Sequence, residues 1–458
     1  MEEDGGRTPS PGPSPGASAD WIERQRRYVA PAVRTYYGDE PLVLVSGSGR
    51  TVVDAEGRRY LDFFGGILTV SVGHAHPRVA DAVADQARRL MHTSTLYINP
   101  PMVELAERLA RLAPGDLSRS FFTTSGTEAN ETAVAMALAA TGGAEIIALR
   151  HSYSGRSQLG MALTGQAPWR RTAVPLPVRH AHNAYCYRCP FGRTPDRCGL
   201  ECARDLAEVV ETATTGRPAA FLAEPIQGVG GFITPPPAYF QEAVAIVRRY
   251  GALFICDEVQ TGFGRTGRWF GIEHYGVVPD LMTFAKGLAN GLPIGVTLAT
   301  PEVAARYDGP TISTFGGNPL AMRAALATLD VIAGENLVER AAVLGRRLRE
   351  GLEALQERYP IMGDVRGMGL MQGIEFVRHD KRPAPDLAQE FLAGTRARGL
   401  LVGLGGLWGN VIRIAPPLTV TEDEIDEGLA AMADVLAETY RRQPDLASVP
   451  LTRLKPAW

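Results

Sequence analysis

Residues 281–291 read LMTFAKGLANG, an apolar run followed by one lysine and a glycine-rich turn. The run Leu281–Phe284 is typical of a buried strand. Lys286 comes directly after it, and lysines are seldom buried without a partner. Loss of hydration lowers the pKa of a buried amine and makes it a competent nucleophile for Schiff-base formation. The alternative is a lysine that reaches back to solvent at the end of the strand.

Outward from this stretch, short apolar runs alternate with amphipathic helical segments. Further buried strands are predicted at residues 221–223, 252–255 and 296–299. Helices intervene, so we expect β–α–β order and a mostly parallel sheet, which is an α/β fold. Towards the C-terminus the pattern predicts helices over 318–333 and 336–358, an antiparallel segment around 364–376, and a helix opened by the capping box of Thr421 and Glu424.

The same pattern predicts a large domain flanked by terminal segments that form a smaller α+β domain. Residues 81–330 would form the large domain, and residues 20–80 and 331–443 the small one. Residues 1–19 are mostly Pro, Gly, Ser and acidic residues and are predicted to be a disordered tail. The last segment, 444–458, is predicted to be extended.

A second segment, FFTTSGTEANE at residues 121–131, runs from an apolar strand through a small-residue turn into a helix. Such a turn directs backbone N–H groups and hydroxyls to one point, where the helix dipole adds partial positive charge. Ser125, Gly126 and Thr127 therefore form a candidate phosphate cradle. A serine-capped helix without a ligand is the alternative.

A third segment, FICDEVQTG at residues 254–262, places Asp257 at the end of a buried strand, where open α/β sheets bind ligands. Asp257 and Val259 are two positions apart, so alternation predicts that both face the same side and hold a flat ring. A strand-end aspartate that caps a turn is the alternative. The neighbouring Gly262–Gly267 satisfies the G-x-G-x-x-G pattern, but no convincing helix follows it, which argues against a dinucleotide site.

Charge and hydropathy exclude several classes of partner. The 458 residues include 47 basic and 50 acidic side chains, for a net charge of −3, which gives no footprint for nucleic acid or an anionic membrane. No apolar run is long enough to span a bilayer. The acidic start lacks the features of a signal peptide, so a cytoplasmic location is expected.

The three segments together supply what pyridoxal phosphate requires: a phosphate cradle, a strand-end acid and a strand-end lysine. Their order, with Glu224-Pro-Ile-Gln between the first two, resembles the class III aminotransferases from about residue 40 to 435. This resemblance implies fold type I of the pyridoxal phosphate enzymes, with a mostly parallel sheet of the seven-stranded type in the large domain. It also implies a smaller α+β domain built from both termini.

The resemblance implies a role for each residue of these segments. Lys286 would form the Schiff base and carry a proton between the substrate carbon and the cofactor, while Asp257 would hold the pyridine nitrogen protonated. Val259 would pack under the ring and Gln260 would reach its phenolic oxygen. The phosphate would be bound at the start of the helix by Ser125, Gly126 and Thr127.

Residues elsewhere in the chain complete the implied site. Tyr153 would stack on the other ring face, although Ser154 stands where the family commonly has His. Thr314 would reach the phosphate in the neighbouring subunit, which implies a homodimer at least. Arg413 would clamp a substrate carboxylate, with a surface charge as the alternative, and Glu224 could pair with it for substrates that lack a carboxylate.

Within the family, residues 72–77, 92–97 and 224–230 look most like the branch of alanine–glyoxylate and 3-aminoisobutyrate–pyruvate aminotransferases. Pyruvate or glyoxylate is therefore the expected acceptor, whereas the donor stays open between amino acids and ω-amines. Ile67 stands where ornithine aminotransferases carry a tyrosine, which argues against ornithine. Ile67 and Tyr97 are candidates for the pocket walls.

Two other functions are compatible with these residues. A lyase acting on an amino-alcohol phosphate would share the cofactor cradle and need extra cations, for which Arg156 and Arg413 are available. A binding or scaffold protein that kept only the fold is the other alternative.

Four of the five cysteines, Cys186, Cys189, Cys198 and Cys202, fall within an insertion at 185–203. Four thiolates can close a tetrahedral zinc site that holds together a loop without a core. The spacing is not a standard zinc-ribbon spacing. Disulfides and free thiols are the alternatives, and any of these arrangements would be structural rather than catalytic.

Overall fold

The computed structural model describes residues 17–452, which form three sheets and a surrounding layer of helices. The strands are β1 (Leu44–Ser48), β2 (Thr51–Asp54), β3 (Arg59–Asp62), β4 (Arg119–Thr123), β5 (Ile146–Leu149), β6 (Val178–Ala181), β7 (Ala220–Ala223), β8 (Leu253–Asp257), β9 (Leu281–Phe284), β10 (Gly295–Ala299), β11 (Met362–Met368), β12 (Met371–Phe376), β13 (Leu400–Leu401), β14 (Gly403–Gly405) and β15 (Val411–Ile414).

The helices contribute the outer layers. They are α1 (Ala17–Tyr28), α2 (Gly65–Leu68), α3 (Pro77–Arg89), α4 (Pro100–Leu112), α5 (Gly126–Thr141), α6 (Gln158–Leu163), α7 (Glu201–Ala213), α8 (Tyr239–Arg249), α9 (Pro301–Ala305), α10 (Pro319–Gly334), α11 (Leu337–Arg358), α12 (Pro385–Ala397) and α13 (Glu422–Arg442). Short 3₁₀ turns lie between several of them.

The large sheet has seven strands in the order β4-β10-β9-β8-β7-β5-β6. β10 runs antiparallel to both of its neighbours, and the pairs from β9 through β8, β7 and β5 to β6 are parallel. β4 therefore points the same way as β9. The predicted α/β class and mostly parallel seven-stranded sheet are confirmed, and the strand at 281–284 has the predicted bounds.

Parallel direction brings the carboxyl ends of β4, β7, β8 and β9 to one edge of this sheet. β7, β8 and β9 are buried on both faces, which explains their continuous apolar runs. One face of the sheet packs against α5. On the opposite face, the stacked rings of Phe221 and Phe254 belong to the hydrophobic core. Loops at this edge are thus fixed by a rigid support.

One of the two smaller sheets joins N-terminal and C-terminal segments of the chain, and the other is built from C-terminal strands alone. β13 pairs in parallel with β3, so that Leu400 lies opposite Leu61 in the sheet β1-β2-β3-β13. β11, β12, β15 and β14 form a separate antiparallel sheet, as the segment around 364–376 predicted. The capping box of Thr421 and Glu424 opens α13 as expected.

Both terminal predictions need correction where the structure describes them. Residues 1–16 and 453–458 lie outside the described range, but residues 17–19 belong to α1 and not to a disordered tail. Residues 444–448 form a 3₁₀ turn instead of an extended segment. Leu446 in the turn and Val449 directly after it are buried, and their burial holds the turn against the rest of the chain.

In the described residues no helix combines the length and the apolar character needed to cross a membrane. The domain boundaries and the cytoplasmic location stay predictions.

Candidate active site

Loops that follow β4, β7, β8 and β9 converge on a cavity of about 380 Å³. Its walls contain most of the residues that the sequence singled out for a cofactor, together with Glu224 and Arg156: Ser125, Gly126, Thr127, Tyr153, Asp257, Val259, Gln260 and Lys286. Thr314, Arg413, Ile67 and Tyr97 are not among its lining residues.

The start of α5 forms one end of the cavity. Ser125 is the N-cap of this helix, and its hydroxyl accepts a hydrogen bond from the Glu128 N–H at 3.3 Å. A Cβ on Gly126 would lie 3.0 Å from Cγ1 of Val259, so the backbone approaches the opposite wall as closely as it can. The remaining N–H groups of the first turn and the positive end of the helix dipole suit a phosphate.

Asp257 ends β8 and is buried at the floor of the cavity. Its Oδ2 accepts from Nδ2 of Asn130 at 2.8 Å and its Oδ1 from the Val259 N–H at 3.1 Å. Burial raises the pKa of Asp257, and these two donors and the charge of Lys286 oppose that rise by favouring the carboxylate. The arrangement can hold a protonated ring nitrogen.

Asn130 is a site residue to which the sequence analysis gave no role. Its Oδ1 accepts from the Thr283 hydroxyl at 2.7 Å, so the amide is locked between β9 and Asp257. Nδ2 also donates to the carbonyl of Ser154 at 3.1 Å. A buried polar residue on the first turns of an otherwise Ala-rich helix was the available signal.

Val259 lines the cavity, but not through the strand alternation that was predicted for it. β8 ends at Asp257, and the following turn carries Val259 round to the same wall. Next to it, Oε1 of Gln260 is buried and has no hydrogen-bond partner among the described residues. An amide with unused bonding capacity at this wall fits a polar substituent on a bound ring.

Lys286 follows β9 with a left-handed backbone (φ +44°) and points into the cavity rather than to solvent. Burial lowers the pKa of its amine, and the nearby Arg413 adds to that effect, while Asp257 and Glu224 oppose it. The chain contains two other lysines, Lys381 and Lys455. This scarcity is a signal that the sequence analysis did not use.

Glu224 lies directly after β7 and is also buried in the wall. Its two oxygens accept from the N–H groups of Tyr153 at 3.1 Å and Gly228 at 2.8 Å. Burial and the negative charge of Asp257 raise the pKa of Glu224 to about 8. The ring of Tyr153 lines the cavity and packs edge-on against Trp169.

Arg413 lies on β15 and is 5% exposed, so it is not the surface charge of the alternative prediction. Its Nη2 donates to the carbonyl of Leu404 at 2.9 Å, and the guanidinium stands 4.9 Å from the centre of the Phe64 ring. Nε has no partner in the part of the chain that the structure describes. Arg413 and Glu224 are not ion-paired in this conformation, which leaves a buried cation beside the cavity.

Three predicted residues lie at exposed positions outside the cavity. Thr314 lies in an exposed loop, and Ser313 beside it exchanges hydrogen bonds of 3.3 Å with the Thr95 hydroxyl. Tyr97 belongs to the same region of the surface, and Ile67 is exposed on the α2 turn. Their roles in the pocket stay predictions.

The structure does not support the predicted zinc site. Between residues 17 and 452, no group of three or more His, Cys, Asp or Glu side chains is arranged to hold a metal ion. Cys186, Cys189, Cys198 and Cys202 are free thiols at half-buried positions.

Comparisons with known proteins agree with this geometry. The family model described as aminotransferase class III matches residues 34–436. The mitochondrial alanine–glyoxylate aminotransferase 2 homolog 2 of Arabidopsis thaliana is 43% identical over 427 residues, which cover 92% of this chain and 88% of that protein. An acetylornithine aminotransferase of Mycolicibacterium smegmatis is 42% identical over 404 residues, which cover 87% of this chain and 95% of that protein.

A solved structure adds the cofactor. An amine transaminase from an uncultivated Pseudomonas species, in its PLP-bound form, is 32% identical to this chain and superposes with a TM-score of 0.85. The match covers 90% of this chain and 98% of that one. The names of these three proteins point to different amino donors for a shared amino-transfer chemistry.

Proposed function

The chain belongs to the class III aminotransferase family and catalyses pyridoxal phosphate-dependent transamination, and we propose that its donor is an amino acid bearing a carboxylate. The proposed acceptor is a keto acid such as pyruvate or glyoxylate, as the name of the Arabidopsis relative suggests. The observation that carries the proposal is Arg413, a buried guanidinium beside the cavity with Nε unpartnered in the described residues. A planar cation of this kind binds a carboxylate through two parallel hydrogen bonds.

The residues present fit pyridoxal phosphate. The start of α5 at Ser125 and Gly126 would hold the phosphate, Asp257 the pyridine nitrogen, and Gln260 the ring oxygen. When bound, the cofactor supplies an electron sink that stabilises negative charge at the substrate carbon. Tyr153 and Val259, which line the cavity, would enclose the ring between them.

Lys286 supplies the amine chemistry of the site. Its Nζ has a pKa lowered by burial, so the neutral, nucleophilic form is more populated than in water. Nζ lines the cavity, where it would take a proton from the substrate carbon and give it back in the second half of the proton shift. The negative charge of Asp257 favours the protonated form of Nζ between the two transfers.

We also propose that the enzyme is a homodimer. Six exposed apolar side chains lie around the Thr95–Ser313 contact, and we name them the apolar patch: Met91, Leu96, Tyr97, Ile98, Ile312 and Phe315. Exposed apolar clusters of this kind mark protein contacts. A second copy seated here would bring Thr314 towards the partner's phosphate cradle, as the resemblance implies. Thr314 does not line the cavity of its own chain, which supports a role in the neighbouring one.

A lyase acting on an amino-alcohol phosphate is not favoured. The matched family and the relatives are aminotransferases, although Arg156 lines the cavity and could hold an anion.

The donor is tested by titrating the cofactor-loaded enzyme with single amines in the absence of keto acid. We expect L-alanine or β-aminoisobutyrate to bleach the visible absorption band of the cofactor, and pyruvate to restore it. An amine without a carboxylate should bleach the band far more slowly. Bleaching by that amine alone would overturn the proposed donor class, and phosphate release from phosphoethanolamine without bleaching would indicate the lyase.

A further inference from the structure

The four clustered cysteines share one small cavity, separate from the active site. Cys186 begins a 3₁₀ turn and Cys189 directly follows it, while Cys198 precedes α7 and Cys202 lies in its first turn. All four line a cavity of about 20 Å³, which is about the space of a single water molecule. Residues far apart in the insertion are thereby brought together.

The thiols are close enough to affect one another. Burial raises the pKa of Cys186 to about 12, and the neighbouring Cys198 and Cys189 add to that rise. Burial likewise raises the pKa of Cys202 to about 12, with Cys186 as the next cause. In the reduced protein these two are therefore uncharged thiols that line the same cavity.

The segment that carries the cysteines has little other support. Residues 182–200 form no strand or α-helix, and most of the stretch from Phe191 to Arg197 is exposed. Its firm attachments lie at one end, where Tyr185 and Arg188 bind the buried carboxylate of Glu375. A covalent link between the two ends of this loop would remove much of its freedom in the unfolded chain.

We propose that the four cysteines form a thiol–disulfide site that closes this insertion, with the turn at 186–189 linked to the start of α7 at 198–202. Each disulfide forms from two thiols, and the two hydrogens and two electrons pass to one molecule of glutathione disulfide, which leaves as two molecules of glutathione.

The insertion and the residues just before it contact the cavity wall next to Arg413, so a link within the insertion would restrict the movement of that wall. Asn183, two residues before the insertion, donates to Oε1 of Gln227 at 2.6 Å, and the carbonyl of Gly228 next to Gln227 accepts from Arg413. The ring of Tyr185 packs edge-on against His151. Closing the insertion would restrain this wall, whichever donor the enzyme uses.

Thiol titration and peptide mapping of the cofactor-loaded enzyme test the proposal. After equilibration with glutathione disulfide, denaturation and alkylation, we expect the titratable thiols to fall from the five in the sequence to one. Cleavage by trypsin after arginine puts Cys186 and Cys189 on separate peptides and Cys198 with Cys202 on a third. We expect these three peptides to run as one linked species that reductant separates.

Matched variants identify the residual thiol. Cys256 is fully buried outside the cavity, so Cys256→Ser should remove the last thiol and leave the linked species unchanged. Cys198→Ser with Cys202→Ser should abolish the link; the wild-type titration decides the question if this variant fails to fold. The proposal would be overturned by five titratable thiols after oxidation, or by disulfides found only between Cys186 and Cys189 and between Cys198 and Cys202. One zinc ion per chain that protects the thiols would also overturn it.

Discussion

Asp257 owes its orientation to hydrogen bonds that run through Asn130 to Thr283 on the neighbouring strand. Lys286 and Asp257 could be predicted from the sequence, because each follows an apolar run that can only be a buried strand. Asn130 could not, because its partner is 127 positions away and the contact exists only after α5 packs on the sheet. The buried setting of Arg413 against Phe64 is non-local for the same reason.

Replacing Asn130 tests its role as a positioning residue. In Asn130→Ala, Asp257 loses a donor that lowers its pKa, so the carboxylate becomes harder to ionise. We expect about a tenfold rise in the cofactor dissociation constant, from about 1–3 kcal/mol for a buried unsatisfied group. The loss of cofactor affinity should grow as the pH is lowered. With its pKa raised, Asp257 is protonated at a higher pH in the variant than in the wild type, and a protonated Asp257 no longer holds the cofactor's ring nitrogen.

Equilibrium titration with cofactor at several pH values measures this effect. Thr283→Ser keeps the hydroxyl that Asn130 accepts from and serves as the control. A loss of affinity that is the same at every pH would show a general packing defect and not control of Asp257.

Arg413 is expected to discriminate between donors. Lysine keeps the charge but loses the planar fork, so Arg413→Lys should lower kcat/KM for L-alanine by about 10- to 100-fold. For an amine without a carboxylate we expect kcat/KM to change by less than about threefold, because such an amine makes no carboxylate contact that the substitution could remove. Steady-state kinetics with both donors measure the ratio, and an equal loss for the two would contradict the clamp.

At the scale of elements, sequence patterns that depend on near neighbours were reliable. The strand at 281–284 and the capping box at Thr421 depend on residues within a turn or two, and the structure has both. The predictions of disorder at 17–19 and of an extended chain at 444–448 were wrong, because composition alone does not show which apolar side chains will be buried. Leu446 is buried against the rest of the chain, and its segment therefore folds back onto it.

The capping box gives a prediction for element stability. The Thr421 hydroxyl accepts from the Glu424 N–H at 3.2 Å, and Glu424 accepts in return from the Thr421 N–H at 2.9 Å. Thr421→Ala should lower the free energy of unfolding by about 1 kcal/mol without affecting catalysis. Urea unfolding measures the shift, with Thr421→Ser as the control that keeps the hydroxyl. An unchanged midpoint in the alanine variant would show that α13 does not need the cap.

At the scale of the whole molecule, the parallel sheet brings residues from four loops to one edge, and the two termini meet in one small sheet. The order of strands was not readable from the sequence, because hydrophobic pattern gives a strand's burial and not its neighbour. The resemblance to a family supplied the mostly parallel, seven-stranded type of sheet, whereas the order of its strands comes from the structure.

A charge in the apolar patch tests the dimer. Phe315 is 62% exposed in the single chain, and Phe315→Glu would place a carboxylate in a buried contact if a second copy covers it. We expect a dimer for the wild type in sedimentation velocity, and for the variant a shift to monomer with loss of most activity. Val343→Glu, an exposed apolar position on α11, is the matched control. A wild-type monomer with full activity would contradict the dimer.

Lys286 carries the proposed proton transfer, and a comparison of single turnovers with and without its amine tests that role. Wild type and Lys286→Ala, each loaded with pyridoxal phosphate, are mixed with L-alanine and followed through the visible absorption band in a single turnover. Without Nζ to move the proton, we predict that the variant binds the cofactor but bleaches at least about 10³-fold more slowly. Lys381→Arg, a lysine outside the cavity, should behave as wild type. Bleaching of Lys286→Ala within about tenfold of the wild-type rate would contradict the account.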